Sequence, residues 1–513
     1  VSVDLARGLP EQRQQELVAQ VTERLRGIGR DGGPRVLVGG DDLLQDELAE
    51  QSQRDTELGE FVALPVTLVV MVVLFGGFVA AGIPFLGALS SIAGGLAALY
   101  ALSYALKLDP SVPSVTTVMG LGLSIDYALL IVARFREERG AGREPHDAVV
   151  AAMATAGRTI SFSALTVAVS LCGLFVFDDP IFRSLGAAGV SVVVVALVAA
   201  LTLTPALLAV GHRRVRTPTT RVSDDGIFAR LARATQRRAW LVTTVLAGLL
   251  VAAGVPFLHA QFRNGGAEQL PTSFESRQFA ERTAALFPTQ RTRPVIVLAR
   301  VPAPRLAAYA ARARDLPEVE RVGEVVPRRD GWSSVELTPR GQSQGEQAKA
   351  LVRALRADRP DFLTWVTGDA AMLIDFQAVI RSGLPGALAV LGIGTFVLLF
   401  LMTGSVLVPV KALLMNTLSL GATFGVLVLV FQDGIGAQLL GFTPSGGLET
   451  WVPVIVFAFA FGLSMDYEVF LLSRVKELYD SGLPNDKAVE IGLQRSGRII
   501  TSAALLMLIV FLG

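Results

Sequence analysis

The stretch GLGLSIDYALLIVARF, residues 120–135, places one aspartate, Asp126, in an apolar run long enough to sit inside a lipid bilayer. FGLSMDYEVFLLSRV, residues 461–475, repeats the pattern with Asp466. The aspartates lie 340 positions apart (466 − 126), and the offset persists around them. Gly122 falls on Gly462, Ser124 on Ser464, Tyr127 on Tyr467, Arg134 on Arg474, Glu137 on Glu477, Ala148 on Ala488, Gly157 on Gly497 and Arg158 on Arg498. So many identities at one spacing mark a duplication. Further upstream, Leu64-Pro65 matches Leu384-Pro385 at an offset of 320, which predicts that the second copy has gained about twenty residues (340 − 320) in the Gly-rich stretch DGIGAQLLGFTPSGGLET. Val38, Gly40 and Asp41 also match Val366, Gly368 and Asp369, so the polar segments are duplicated too.

Composition agrees with a membrane setting. The chain has 513 residues, 51% of them hydrophobic, and a mean hydropathy of +0.52. Several apolar runs reach the roughly 20 residues that cross about 30 Å of hydrocarbon. Ten spans are expected, at about 61–80, 83–106, 113–134, 158–177, 182–210, 239–257, 384–403, 406–431, 451–474 and 498–513. The net charge of +1 gives no case for nucleic acid as a partner. A single cysteine, Cys172, excludes an intrachain disulfide and a thiolate metal cluster. No Gly-x-x-x-x-Gly-Lys-Ser/Thr loop occurs, so ATP is not the expected energy source and no cofactor is implied. The chain opens without methionine and stops in an apolar run at Val510-Phe511-Leu512-Gly513, so it is expected to be part of a longer protein.

Arginines set the orientation. Arg134, Arg136, Arg139 and Arg143 follow the third span, and Arg213, Arg214, Arg216, Arg230, Arg233, Arg237 and Arg238 lie between the fifth and sixth. With those loops cytoplasmic, residues 1–60 and 258–383 fall on the opposite side. In the latter, RPVIVLARV, VERVGEVV and SSVELTP read as strands, while RLAAYAARARDL and GEQAKALVRALRA read as helices. Strand, helix, strand, strand, helix is the order of a split βαβ unit. Near the N-terminus, EQRQQELVAQVTERLRGI and RVLVGGD read as the last helix and strand of a similar domain. The expected organisation is therefore 1–60, the remainder of a first such domain with a connecting helix; 61–210, a first bundle; 211–238, a basic cytoplasmic linker; 239–257, the first helix of the second half; 258–383, the second such domain; and 384–513, the second bundle. EPHDAVVAAMATAGR and PNDKAVEIGLQRSGR are expected to be short interfacial helices.

An even number of spans separates the copies, so the halves are parallel repeats related by an axis along the membrane normal, and Asp126 should meet Asp466 near the midplane. An ionised carboxylate at the bilayer centre costs at least about 2.5–3.5 kcal/mol, so such residues face the bundle interior and serve transport or proton relay. Burial disfavours the charged form of a carboxyl, and a buried aspartate beside a tyrosine is suited to loading and releasing a proton. Each proton crossing the potential yields about 2.3 kcal/mol per 100 mV. The plainer alternative is a structural clamp between helices, which two copies at matching depth make the weaker reading. Tyr127 and Tyr467 are either relay partners or hydrogen-bond donors to the aspartate of the other half. Glu468 lies two positions beyond Asp466 and faces elsewhere, a secondary candidate. Ser124, Ser464, Ser163 and Thr166 are candidate hydrogen-bond partners of the carboxylates, with plain helix packing as the alternative. Gly120, Gly122 and Gly462 are read as sites of close helix packing. His146, His212 and His259 are read as surface residues.

With GLGLSIDYALLIVARFREE, TAGRTISFSALTVAVSLCGL and FAFGLSMDYEVFLLSRVKE in view, the chain resembles the RND superfamily and, within it, the MMPL branch. The resemblance implies a polytopic α-helical fold, with parallel duplicated six-helix halves and α/β porter domains, of which this chain lacks the first and last helices. It implies a proton-driven exporter of lipids, glycolipids or other hydrophobic molecules across the inner membrane, a secondary transporter rather than an enzyme. The proton relay carried over from the family falls on Asp126, Tyr127, Asp466 and Tyr467, with Asp126 paired to Tyr467 and Asp466 to Tyr127. Expected partners are a lipid or hydrophobic substrate, protons and the membrane, together with cell-envelope accessory proteins or a second copy. The alternatives are small-molecule or drug efflux on the same scaffold and a non-transporting membrane scaffold. An intramembrane aspartyl protease also needs two membrane carboxylates, but its motif puts Gly directly before Asp, where this chain has Ile125 and Met465.

Overall fold

Long helices dominate because the apolar runs contain few residues that break a helix and, in lipid, the backbone must satisfy its own hydrogen bonds. The computed structural model describes residues 10–28, 36–109, 111–215, 225–287, 292–358 and 360–512. Through the first half run α1 (Glu11–Ile28), α2 (Asp41–Phe75), α3 (Phe78–Ser103), α4 (Val112–Gly140), α5 (Pro145–Ala152), α6 (Arg158–Cys172), α7 (Pro180–Gly211), α8 (Ile227–Arg237) and α9 (Ala239–Gly254). Then come β1 (Phe262–Arg263), α10 (Glu275–Leu286), β2 (Val295–Ala299), α11 (Ala303–Ala313), β3 (Val319–Val322), β4 (Val326–Pro327), β5 (Ser333–Pro339), α12 (Glu346–Ala357) and β6 (Thr364–Thr367). The second half closes with α13 (Asp369–Thr403), α14 (Leu407–Leu427), α15 (Ala437–Leu440), β7 (Leu448–Glu449), α16 (Val452–Asp480) and α17 (Asn485–Leu512).

Among the described residues ten helices are long and apolar enough to cross a membrane. Their environments differ sharply: 78% of the most apolar stretch of α4 is buried inside the protein, against none of that of α9. Thus α4 is a central helix, whereas α9 lies at the periphery, with Gly254 packed closely on Gly421 of α14.

The duplication is visible in the helix limits. Both α4 and α16 have 29 residues, and both ends differ by 340 (452 − 112, 480 − 140). Each carries a proline at its first turn, where the missing N–H costs no helical bond. Upstream, α2 and α13 both have 35 residues and start 328 apart (369 − 41), and α3 and α14 start 329 apart (407 − 78). The gain in the second copy is therefore about a dozen residues rather than twenty, and it falls, as expected, in the Gly-rich connection that holds α15 and β7. Leu64-Pro65 and Leu384-Pro385 lie at different heights in their helices, so that match is not a structural equivalence.

Two expectations about the segments that follow α4 and α16 are corrected. Residues 145–172 form α5 and α6 joined through a π-helical turn at Met153–Gly157, and α17 runs unbroken from Asn485. No proline interrupts either segment, so neither stops to form a separate interfacial helix. The basic connection does contain a helix, α8, which packs on α17 through Arg233 to Glu490 at 2.7 Å and the Ala229 N–H to Gln494 at 3.0 Å. Arg216 lies outside the described residues.

The chain divides into a smaller unit, Val1–Ser52 with Arg263–Phe376, and a larger one, Gln53–Phe262 with Gln377–Gly513. In the smaller unit the sheet order is β3-β5-β2-β6 with antiparallel neighbours, and β4 adds to β5. The expected strand and helix order is present, and β6 completes a β-α-β-β-α-β arrangement. Val295, Val297 and Ala299 alternate into the core, where Leu306, Tyr309 and Leu351 meet them. The segment read as one strand, 319–326, breaks into β3 and β4 at Gly323, whose N–H turns to the Glu336 carbonyl at 2.7 Å. At the N-terminal side, residues 36–40 are irregular rather than a strand, because the Val38 N–H bonds the Glu275 carboxylate of α10 at 2.9 Å instead of a sheet neighbour. The limits between the units fall at Ser52/Gln53, within α2, and at Phe376/Gln377, within α13.

Candidate functional site

Asp126 and Tyr127 lie midway along α4, and Asp466 and Tyr467 at the matching turn of α16. α6 supplies the third wall. Gly462 lets α16 approach it closely: a Cβ there would lie 3.2 Å from the Val167 Cα. Gly122 likewise seats α4 against the Met507 side chain of α17. At Gly120 a side-chain carbon would make only ordinary contact with Ile92 of α3, so close packing does not account for that glycine.

The four residues read as a relay converge. Asp126, Tyr127, Asp466 and Tyr467 line one small cavity together with Ser163, Leu130 and Phe470. Its water-accessible space is about 10 Å³, room for roughly one water molecule. Across it the Tyr467 hydroxyl donates to the Asp126 carboxylate at 2.6 Å, joining α16 to α4. The reciprocal pair is present but unbonded. The Tyr127 hydroxyl and Asp466 Oδ1 are buried without a hydrogen-bond partner, as are Asp126 Oδ1 and Ser163 Oγ. A buried polar atom without a partner costs on the order of 1–3 kcal/mol, so the site holds unspent hydrogen-bonding capacity around the carboxyl groups.

The remaining candidates divide. Ser163 lines the cavity. Thr166 is buried, but its hydroxyl donates to the Ser163 carbonyl of its own helix at 2.6 Å and so does not reach a carboxylate. Ser124 is buried without a partner and Ser464 is exposed, and neither lines the cavity. Two residues before its aspartate, each serine has turned away from it on a helix of 3.6 residues per turn. Glu468 faces α14, where it pairs with Lys411 at 2.7 Å. His146 and His259 have exposed side chains, and the His212 ring contacts the Ala209 carbonyl of its own helix.

A family model described as "MMPL family" matches residues 1–259 and 333–513. The chain belongs to the MMPL family. It is 41% identical to the membrane protein SCO6666 of Streptomyces coelicolor, over all of this chain and 72% of that one. The MmpL3 protein of Mycobacterium tuberculosis, described as a trehalose monomycolate exporter, is 30% identical over 94% of this chain and 56% of its own. MmpL11 is described as a heme uptake protein in Mycobacterium tuberculosis (31%, 95% of this chain) and as a mycolic acid-containing lipids exporter in Mycolicibacterium smegmatis (29%, 95%). The chain spans about half the length of these mycobacterial proteins. A crystal structure of SecDF shares the fold, with a TM-score of 0.53 at 15% identity over 90% of this chain and 56% of the other. The MMPL chain is therefore a multi-pass membrane protein with an RND-type fold.

One feature of this MMPL chain beside the cavity escaped the reading of single residues. One turn past Leu130 and Phe470, Arg134 and Arg474 form a crossed set of ion pairs with Glu137 and Glu477. Arg134 contacts Glu137 at 2.9 Å and Glu477 at 3.1 Å, and Arg474 contacts Glu477 at 2.7 Å and also bonds Glu137. Arg134 reaches Glu138 as well, at 2.9 Å. Each half thus supplies a cation and an anion to the other. The signal was in the repeat: Arg134 and Glu137 fall on Arg474 and Glu477, and an axis relating the copies brings equivalent residues together.

A second cavity, of about 650 Å³, lies in the larger unit, bounded by the end of α6, the end of α9, and α13, α14 and α16. Phe177, Phe257, Leu388 and Phe424 are among its walls. Its volume is in the range of small-molecule sites and its lining is mostly apolar. No polar motif marks it in the sequence, because its walls come from residues far apart in the chain.

Proposed function

We propose that this chain is the membrane core of a proton-driven exporter of lipids, glycolipids or other hydrophobic molecules across the inner membrane. The observation that carries the reading is the Tyr467–Asp126 bond across the two halves, set in a small cavity with a second carboxyl, Asp466. Protonating Asp126 removes the charge that its tyrosine partner stabilises, and Asp466 stands beside it with an oxygen free to take part. A proton moving between them changes which helix pairing is favoured, and so couples proton movement to the relative position of α4 and α16. The crossed ion pairs lie one helical turn from the cavity, on the side read as cytoplasmic, and bar the way out of it. Their rearrangement opens the route by which the proton leaves.

The cargo follows from the second cavity and from the relatives. An apolar space of about 650 Å³ suits alkyl chains, and MmpL3 is described as exporting a mycolate lipid. The description of one MmpL11 as a heme uptake protein favours a second reading, transfer of a large apolar ring in the opposite direction. Comparing the envelope lipids of cells carrying the full-length parent protein with those of cells carrying its Asp466→Asn variant tests the proposal. Loss of one surface lipid class with the variant normally folded supports it. Unchanged export sinks the proton relay, and heme-dependent growth that falls instead favours uptake.

A further inference from the structure

The apolar cavity is polar at one place only. Of its polar side chains, Ser170 is spent on the Ala458 carbonyl at 2.6 Å and Thr450 is buried, which leaves Gln377 and Arg381 on one face of α13. Arg381 is the one basic residue of the lining and its side chain is exposed. Among the described residues no ion pair includes it. The carboxylates that flank the lining residues are already engaged: Asp178 by Arg183 at 2.8 Å, Asp179 by the Ile181 N–H at 2.8 Å, and Asp433 by His259 at 3.3 Å. Glu449, next to Thr450, also has a partner.

Height in the membrane says which anion meets this cation. Arg381 precedes by three residues the uninterrupted apolar run that begins at Leu384, which puts it at the edge of the hydrocarbon, where long basic side chains reach the headgroup level. A guanidinium there forms paired hydrogen bonds to a phosphate or carboxylate. Beyond it the apolar wall continues unbroken into the cavity.

We propose that the cavity takes an amphiphile whose headgroup carries a phosphate or carboxylate, with Arg381 as the residue that selects the anion and the apolar walls holding the chains. The assignment rests on reading this cavity as the cargo space and names the class of lipid that enters it. A free anion is the poorer occupant, because it would leave the apolar wall in contact with water.

Native mass spectrometry of the purified chain in neutral detergent tests this, using phosphatidylglycerol and phosphatidylcholine with matched acyl chains. The wild type is expected to favour phosphatidylglycerol at least fivefold. R381Q levels the two lipids while still binding both. L388W, which fills the wall from an exposed position, weakens both. Equal binding by the wild type, or an unchanged preference in R381Q, overturns the proposal. Inorganic phosphate at millimolar concentration is expected to leave the lipid bound, and displacement by phosphate alone overturns the lipid assignment in favour of a soluble anion. The readout needs no proton gradient. The preference should persist in Asp466→Asn, so failure of the proton relay and failure of headgroup selection give different results.

Discussion

Tyr467 and Tyr127 occupy equivalent turns of equivalent helices, yet only Tyr467 is bonded to the aspartate of the other half. One helical turn beyond the cavity the comparison reverses, and Arg134, Glu137, Arg474 and Glu477 pair across the axis in both senses. The backbone repeat is therefore regular, while the site at its centre is not. Part of the cause lies in the surroundings. Asp126 is buried on a helix enclosed by its neighbours, whereas Asp466 is half-buried on a helix with far less of its apolar stretch covered, 39% against 78%. A site whose two copies sit in different states is suited to a cycle in which they exchange, and the symmetric ion pairs give that cycle a defined closed position.

Four tests sharpen or break this contrast, in descending size of effect. Replacing either aspartate with asparagine should reduce lipid export by the full-length parent at least a hundredfold, with normal elution on gel filtration. If one replacement is silent, the two carboxyls do not form one relay. Arg134→Glu should cut export by about tenfold through like-charge repulsion with Glu137 and Glu477, and Glu477→Arg in the same chain should restore most of it. Absence of rescue would mean that the ion pairs only decorate the helix ends. Tyr467→Phe should lower transport several-fold, while Tyr127→Phe, which removes an unbonded hydroxyl, should change it by no more than about twofold in a single-turnover assay. Equal losses would mean that the bonding difference between the copies has no functional weight. Smallest is the packing difference between the halves. Gly462→Ala meets the Val167 backbone and should cost about 1–2 kcal/mol in thermal unfolding. Gly122→Ala meets the mobile end of Met507 and should cost less.

Much of this arrangement was legible in the sequence because membrane helices are written in long apolar runs and a duplication fixes their correspondence. The two aspartate motifs set the 340-residue offset, and RPVIVLARV and SSVELTP were legible as strands, which the structure has as β2 and β5. What sequence could not separate was a helix that begins at a surface from one that continues through it, as at Ala152 and in α17. Nor did residue type alone tell Ser163, which lines the cavity, from Thr166, whose hydroxyl is taken by its own helix. The irregular path of residues 36–40 depends on a distant partner, Glu275, which no local pattern announces. No sequence motif singles out Arg381; it stands out only in the folded chain, where it lines the apolar cavity.

The central claim is that protons pass through the paired carboxyls. Proton flux into liposomes holding the full-length parent, followed with an entrapped pH-sensitive dye under an imposed potential, tests it most directly. The account predicts flux in the wild type that is lost when Asp126→Asn and Asp466→Asn are combined, with protein orientation and amount unchanged. Equal flux through both proteins would contradict it and leave the buried pair as a structural clamp between the halves.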